Sequence, residues 1–334
     1  MARAKVESWW KRTGTGKRVR YFGADGRRLR AQATIKRIEQ LRIPPAWTDV
    51  HISPDAARKV QAFGFDAAGR KQYIYSPQHV QTRDTRKWRK LKRVSAALPL
   101  IRDKTNEHLK RPHLDREKVH ATVVRLIARA YFRAGSERYA VQNKTFGIST
   151  LRKKHVVVHG NNLIFNYIGK RSIDQRQFVA DTPLVEIIEE LLSLPGERLF
   201  QYFDENGEIK PVTAQSVNRY LKEIVGDKIT SKDLRTFGGT VRAATILADI
   251  GPASTQTEIK RNLALACKLV SLDLGNTPTI CKKAYIHPAV LDEYARAGRT
   301  VSNMRRSKRR LNAVEPIEYY PEEAALIRFL ERYG

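Results

Sequence analysis

Cysteine is almost missing from this chain: 334 residues contain only Cys267 and Cys281. Two thiols cannot build a disulfide framework, which suits a reducing compartment, and a cytoplasmic location is expected. Metal-ligand spacing is lacking too. The eight histidines are scattered, without Cys or His partners at zinc-site intervals. No long apolar run, signal-peptide pattern or lipidation motif occurs, so no membrane association is expected. Acidic residues are scarce, with 34 Asp and Glu against 63 Lys and Arg, a formal net charge of +29. The excess is spread along the chain instead of sitting in one tail. A positive surface of this size repels itself unless it meets a polyanion. Nucleic acid is the natural partner, with counterion release supplying affinity.

What is present is enough to fold. Hydrophobic residues make up 41% of the chain, and its length allows two domains with sizeable cores. The first stretch reads as β-rich. Arg18 to Phe22 leads into the turn Gly23-Ala24-Asp25-Gly26. A second turn, Asp66-Ala67-Ala68-Gly69, precedes the alternating strand Lys71-Gln72-Tyr73-Ile74-Tyr75. Between them, Ala33 to Leu41 reads as a helix stopped by Pro44-Pro45. Pro77 and the charged run Arg83-Asp84-Thr85-Arg86-Lys87 are read as a linker. From about Lys90 the pattern turns helical. Asp115 is placed to cap a helix with Val119, Val123, Leu126, Ile127 and Ala130 on one face. His155 to His159, the turn Gly160-Asn161-Asn162, and Leu163 to Ile168 read as a hairpin. Helices are expected from Thr182-Pro183 to Leu192, then over 214–225, 232–250, 258–274 and 288–297. The basic stretch Met304 to Arg310 reads as a fraying end. No internal repeat or low-complexity block is visible. The expected class is α+β: a small β-rich domain over 1–89 and a mainly helical domain over 90–334 holding one small sheet.

One tyrosine stands out. Gly275-Asn276-Thr277-Pro278-Thr279-Ile280-Cys281-Lys282-Lys283-Ala284-Tyr285-Ile286 places Tyr285 just past a basic turn. A phenol is a weak nucleophile near neutral pH, because its ordinary pKa is ~10. Cationic neighbours and an oriented electrophile remedy this, and a phosphodiester held by Arg and Lys is such an electrophile. The bland alternative is a packed tyrosine at a helix edge. Three cations in suggestive settings shift the balance. Arg133 follows a helix, Lys170 follows a strand, and Arg235 opens a helix in Lys232-Asp233-Leu234-Arg235-Thr236-Phe237.

Arg after a helix, Lys on a β-turn, Arg opening a helix and a C-terminal Tyr resemble the active site of type IB DNA topoisomerases. The resemblance extends over nearly the whole chain and is closest to the compact bacterial and poxvirus group. Gly69-Arg70-Lys71-Gln72-Tyr73-Ile74-Tyr75, followed by His79-Val80-Gln81 and Arg83, is similar to that group's DNA-clamping β-module. Asn143-Lys144-Thr145-Phe146-Gly147-Ile148-Ser149-Thr150-Leu151 is similar to its segment after the first arginine.

The resemblance implies that Tyr285 attacks a DNA phosphodiester to give a 3′-phosphotyrosyl link, with no metal, nucleotide or other cofactor. Arg133 and Arg235 would neutralise the non-bridging oxygens, Asn276 would add a donor, Lys170 would protonate the leaving 5′ oxygen, and Lys232 would assist. Gln72, Tyr73, Tyr75, Arg83 and Tyr139 would touch double-stranded DNA, clamped by a monomer. Tyr73 and Tyr75 are equally readable as core, and Tyr139 as helix-edge packing. Two departures stand out: Asn276 replaces the family's usual histidine, and Cys281 its usual serine before Lys282. Cys281 reads as structural, with a redox sensor as the alternative. A tyrosine recombinase shares the Arg, Lys, Arg and Tyr chemistry. However, recombinases usually carry His-x-x-Arg where this chain has Lys232-x-x-Arg235, and their N-terminal domains are helical. A non-catalytic architectural DNA binder is the remaining alternative, although binding alone has no use for the tyrosine.

Overall fold

The computed structural model describes residues 8–14, 18–301 and 318–333. The basic stretch Met304 to Arg310 lies outside them. Two compact units divide between Lys87 and Trp88.

The first unit is an antiparallel five-stranded sheet with one helix. Its strands are β1 (Trp10–Thr13), β2 (Arg20–Phe22), β3 (Thr48–Ile52), β4 (Val60–Phe65) and β5 (Lys71–Tyr75), in the order β2-β1-β3-β4-β5. The helix α1 (Gln32–Gln40) buries Ile38 against Val50, Ile52 and Ala62, with Trp10, Trp47 and Ile74 around them. Period-two alternation sends the neighbours of these residues to the other face. That face carries an aromatic row. His51 and Phe63 stack at 4.7 Å, Phe63 and Tyr73 lie 6.3 Å apart, and Tyr73 and Tyr75 stack at 6.2 Å. Lys71 Nζ sits 3.9 Å over the Phe63 ring, a cation–π contact.

The second unit is mainly helical. The helix α2 (Pro77–Leu109) starts within the first unit, continues into the second and runs through the charged stretch read as a linker. Arg and Lys are good helix formers, and a proline at the first helical position is tolerated because its missing N–H would be unpaired there anyway. Pro99, inside this helix, deprives the Ser95 carbonyl of its helical donor. The Tyr319 hydroxyl donates to that carbonyl at 3.1 Å and replaces the lost bond.

At the centre lies α3 (Arg116–Ala130), buried along nearly its whole length and capped by Asp115, which accepts from Lys118 N at 2.9 Å. Its other end turns through Tyr131 in a left-handed conformation, φ 56°. After the short helix α4 (Glu137–Asn143) comes an antiparallel sheet of β6 (Val156–His159), β7 (Asn162–Ile168) and β8 (Asp174–Ala180). The hairpin is as expected; the third strand is an addition. A second sheet, β9 (Gln201–Phe203) with β10 (Ile209–Pro211), corrects the expectation of one. The remaining helices are α5 (Thr182–Ser193), α6 (Ala214–Val225), α7 (Ser231–Ile250), α8 (Gln256–Leu274), α9 (Pro278–Ala284), α10 (Pro288–Ala297) and α11 (Pro321–Tyr333).

Packing binds sheet to helices. Phe132, just past α3, and Phe165 on β7 are fully buried and meet edge to face at 4.9 Å. Each contributes roughly 1.5–3 kcal/mol through burial. Asp181 caps α5 and pairs with Arg125 at 2.7 Å and Arg129 at 3.2 Å, tying α5 to α3. Among the described residues no helix is long and apolar enough to cross a membrane.

Candidate active site

The site is built where α3, the β7–β8 connection, α7 and the α8–α9 turn converge. Arg133 leaves α3 two residues after the left-handed Tyr131. Its backbone is pinned, because the Arg133 carbonyl accepts from Ile148 N at 2.8 Å and the Ala134 carbonyl from Ser149 N at 2.9 Å. Gly147 permits this approach: a Cβ there would lie 2.6 Å from Gly135 and 2.7 Å from the Arg133 carbonyl. The Asn143 to Leu151 segment thus braces the first arginine from below.

Arg235 sits in the second turn of α7, whose first turn is a capping box between Thr230 and Asp233. Asp233 Oδ2 also accepts from Lys90 Nζ at 2.5 Å, so the start of α7 is tied to α2. Arg235 is 3% exposed and donates to the Leu274 carbonyl at 3.0 Å. Burial pulls its pKa down to about 10, so the guanidinium still carries its charge at neutral pH.

Gly275 ends α8 in a left-handed turn, φ 59°, and there the two arginines meet. Arg133 donates to the Gly275 carbonyl at 3.0 Å and to Asn276 Oδ1. Sequence reasoning gave Asn276 an N–H directed at phosphate. The structure instead shows its oxygen facing Arg133, while Nδ2 lies 3.5 Å from the Leu274 carbonyl.

The segment before Tyr285 is a helix, α9, and not a turn; Thr277 caps it and Pro278 opens it. Tyr285 is its C-cap, with its N–H donated to the Cys281 carbonyl at 2.9 Å. The Tyr285 carbonyl accepts from Thr240 Oγ1 at 3.2 Å, and Gly239 lets α7 come close, since a Cβ there would lie 2.9 Å from that carbonyl. The Tyr285 ring is 6% exposed and stands 5.5 Å from the Arg235 guanidinium carbon. Burial alone would raise the phenol's pKa. Arg235, Arg133 and Lys232, with a hydrogen bond from Arg235, outweigh it and bring the pKa below the ordinary value.

Lys170 lies just after a strand, as expected, in the short connection between β7 and β8. Solvent reaches its side chain. Nevertheless, loss of hydration and then the charge of Arg133 lower its ammonium pKa, with Arg171 and Lys232 adding to this and Tyr285 opposing. Lys232 is exposed one turn before Arg235. Arg133, Lys170, Lys232, Arg235, Asn276 and Tyr285 therefore share one electrostatic neighbourhood. Cys281 is buried behind it, its thiol pushed up to about 11 by burial, which fits a packing role over a reactive one.

Sequence reasoning missed Tyr167. It lies on the inner face of β7, is almost wholly buried, and feels the charges of Arg235 and Arg133; burial pushes its pKa up to about 12. It has no sequence signal beyond being an inward position of a strand. Among the described residues no His, Cys, Asp and Glu cluster is arranged to hold a metal ion.

The expected DNA-contacting residues in the first unit are partly on the surface. Tyr73 is 46% exposed, which corrects the core reading for it, and Tyr75 is half-buried beside His79 at 5.5 Å. Gln72 is on the other face of β5, its Nε2 donating to Asp66 Oδ2 at 2.9 Å. Arg83 is exposed on α2, with Asp84 at 3.5 Å. Tyr139, in the second unit, is 46% exposed on α4.

Comparison with known proteins gives this arrangement a family. Residues 76–313 match the family described as eukaryotic DNA topoisomerase I, catalytic core, and residues 18–66 match the bacterial DNA topoisomerase IB N-terminal domain. The DNA topoisomerase 1B of Acanthamoeba polyphaga mimivirus is 32% identical over 290 residues, covering 85% of this chain and 86% of the relative. That of vaccinia virus strain Copenhagen is 26% identical over 265 residues, covering 76% and 80%. The DNA topoisomerase 1 of rabbit fibroma virus is 25% identical over 286 residues, covering 81% and 85%. A β-sheet unit with a bacterial type IB signature, and a helical unit matched across the elements that carry both arginines and the tyrosine, place the chain in the type IB DNA topoisomerases.

Proposed function

We propose that this DNA topoisomerase relaxes supercoils by cutting one strand of a duplex through Tyr285 and resealing it, as a monomer and without ATP or a metal ion. The observation that carries this reading is the convergence of Arg133, Lys170, Lys232 and Arg235 on one buried phenol whose pKa is depressed.

Tyr285 Oη attacks the phosphorus, forming the tyrosyl P–O bond while the bond to the 5′ oxygen breaks. Arg133 and Arg235 donate to the non-bridging oxygens, where negative charge accumulates. Arg133 turns for this from the Gly275 and Asn276 acceptors to the phosphate, a stronger, charged acceptor. Lys170 gives its proton to the departing 5′ oxygen, which leaves badly as an alkoxide. Lys232 supports ionisation of the phenol. The phosphodiester energy is kept in the 3′-phosphotyrosyl link, so the free 5′ hydroxyl can rotate about the intact strand and then attack in reverse. In the β-sheet unit, the exposed Tyr73 and half-buried Tyr75 offer aromatic surface to DNA beside Lys71, and Gln72 and Arg83 add polar contacts; in the helical unit Tyr139 adds another.

Relaxation of a supercoiled plasmid carrying no partner site, in EDTA without nucleotide, tests the reading against site-specific recombination. Stepwise relaxed products support it; dependence on a second site, or on metal or nucleotide, contradicts it.

A further inference from the structure

The inner face of β8 is unusual. Its inward positions are Gln175, Gln177 and Val179, and the first two are amides where a buried strand face ordinarily carries apolar side chains. Gln175 pairs across the sheet with Tyr167 and reaches in two directions. Toward the Lys170 connection, its Nε2 donates to the Asp174 carbonyl at 3.0 Å and the Ile173 carbonyl at 3.3 Å. Its chain also fills the space over Gly169, where a Cβ would lie 2.6 Å from Gln175 Cγ. Toward the α8–α9 turn, its Oε1 lies against Gly275, where a Cβ would come within 1.9 Å.

Gly169 and Gly275 are the residues directly before Lys170 and Asn276, and the Gly275 carbonyl holds Arg133. One side chain therefore spans the two segments that carry the candidate proton donor and the arginine clamp. The connection needs such a brace. Gly169 N donates to the Ile173 carbonyl at 2.8 Å, closing a tight loop in which Arg171 and Ser172 both have positive φ, 65° and 56°. Non-glycine residues hold such angles only where their surroundings over-determine them.

We propose that Gln175 is a positioning residue that braces the Lys170 loop against the Gly275 turn and so sets the Lys170 ammonium toward the leaving 5′ oxygen. This rests on the reading of Lys170 as the proton donor. Tyr285 and the two arginines keep their own supports, so loss of the brace should weaken proton delivery and spare the attack.

The test is single-turnover cleavage of a duplex at one mapped site, with oxygen or sulfur as the bridging 5′ atom. A sulfur leaving group departs without a proton. Gln175→Ala should cleave the oxygen substrate roughly 10- to 100-fold more slowly, the scale of a misplaced reacting group. It should cleave the sulfur substrate close to the wild-type rate, following the pattern of Lys170→Ala. Gln175→Met, which keeps the bulk between the two glycines, should recover much of the oxygen rate. A coupled test uses Gly169→Ala. Gly169 has φ −90°, which alanine adopts freely, so Gln175 is the main obstacle to the new methyl. Gly169→Ala should slow the wild type but add nothing to Gln175→Ala. Equal slowing of both substrates by Gln175→Ala, or full additivity with Gly169→Ala, overturns the proposal. If Lys170→Ala itself stays slow on sulfur, the proton-donor reading fails separately. The glycine pair then still decides: coupling retains Gln175 as the brace of this loop, and additivity removes it.

Discussion

The guanidinium carbon of Arg235 lies 5.5 Å from the centre of the Tyr285 ring, and both side chains are nearly sealed from solvent. A buried cation beside a buried phenol stabilises the phenolate more than an exposed one, because little water screens the pair. Arg235 is also fixed by the Leu274 carbonyl, so its fork is held before DNA arrives. Arg235→Lys keeps the charge but loses the planar pair of donors. Cleavage should fall on the order of 10²-fold or more while DNA affinity changes little, as measured by single-turnover cleavage beside equilibrium binding.

Asn276 shows its oxygen to Arg133, and this sharpens what its replacement does. Asn276→Ala should lose on the order of 10²-fold or less, because it removes one uncharged acceptor that orients Arg133, and less than Arg133→Ala, which removes charge and two donors together. Asn276→His should remain active and gain rate relative to the wild type as pH falls below ~6.5, where the ring becomes charged. Asn276→Asp should be worse than alanine, since a carboxylate would hold Arg133 back and repel the phosphate. Cleavage rates in this order support the account; an Asn276→Ala defect as large as that of Arg133→Ala contradicts it.

The pH profile of cleavage follows from two lowered pKa values. With both pKa values lowered, the rate should rise as Tyr285 loses its proton and fall as Lys170 loses its own. Both limbs should lie below the ordinary ~10 and ~10.4 of free tyrosine and lysine. With sulfur as the leaving atom the alkaline fall should vanish, because no proton is then delivered. A falling limb kept on the sulfur substrate would assign it to another group.

Gly239→Ala should disturb the nucleophile without touching any charge. The new methyl would stand 2.9 Å from the Tyr285 carbonyl and 3.3 Å from Leu274. Overpacking of this kind costs about 1–3 kcal/mol of stability. Cleavage should drop more steeply than plasmid binding, which thermal melts and both assays would show together.

Much of this was legible in the sequence. The strand Lys71–Tyr75 and the helix Ala214–Val225 lie where turn signals and periodicity put them. What escaped has physical causes. The charged run before Trp88 reads as a linker because it is polar on every side, yet its residues favour helix. The strand Asp174–Ala180 hides because Gln175 and Gln177 break the apolar alternation on its inner face. The contact between Gln175 and Gly275 joins positions 100 apart in the chain, which no local pattern encodes. Asn276 was recognisable as a site residue, but the direction of its amide depends on Arg133, a tertiary neighbour.

Acid should loosen the helical unit through His120. The ring is fully buried, with Nδ1 2.6 Å from the Arg116 carbonyl and Nε2 2.8 Å from Ser216 Oγ, and burial pulls its pKa down to about 4. The unfolded ring titrates near ~6.5, so between these values the unfolded chain binds a proton that the folded one does not. Stability should therefore fall as pH drops from about 6.5 towards 4, by a few kcal/mol in full. Denaturation midpoints of the wild type and His120→Gln should converge towards pH 4, and parallel pH slopes would remove His120 from this role.

The central claim is that Tyr285 is the nucleophile and that the cations around it serve its phenolate, the phosphate or the leaving 5′ oxygen. Tyr285→Phe removes one oxygen and leaves all those cations in place. The direct measurement is denaturing capture of covalent protein–DNA adduct on a nicked or supercoiled duplex, beside relaxation and binding by the same preparations. The account predicts adduct and relaxation for the wild type, neither for Tyr285→Phe, and equal DNA affinity for both. An adduct formed by Tyr285→Phe would place the nucleophile elsewhere and contradict it.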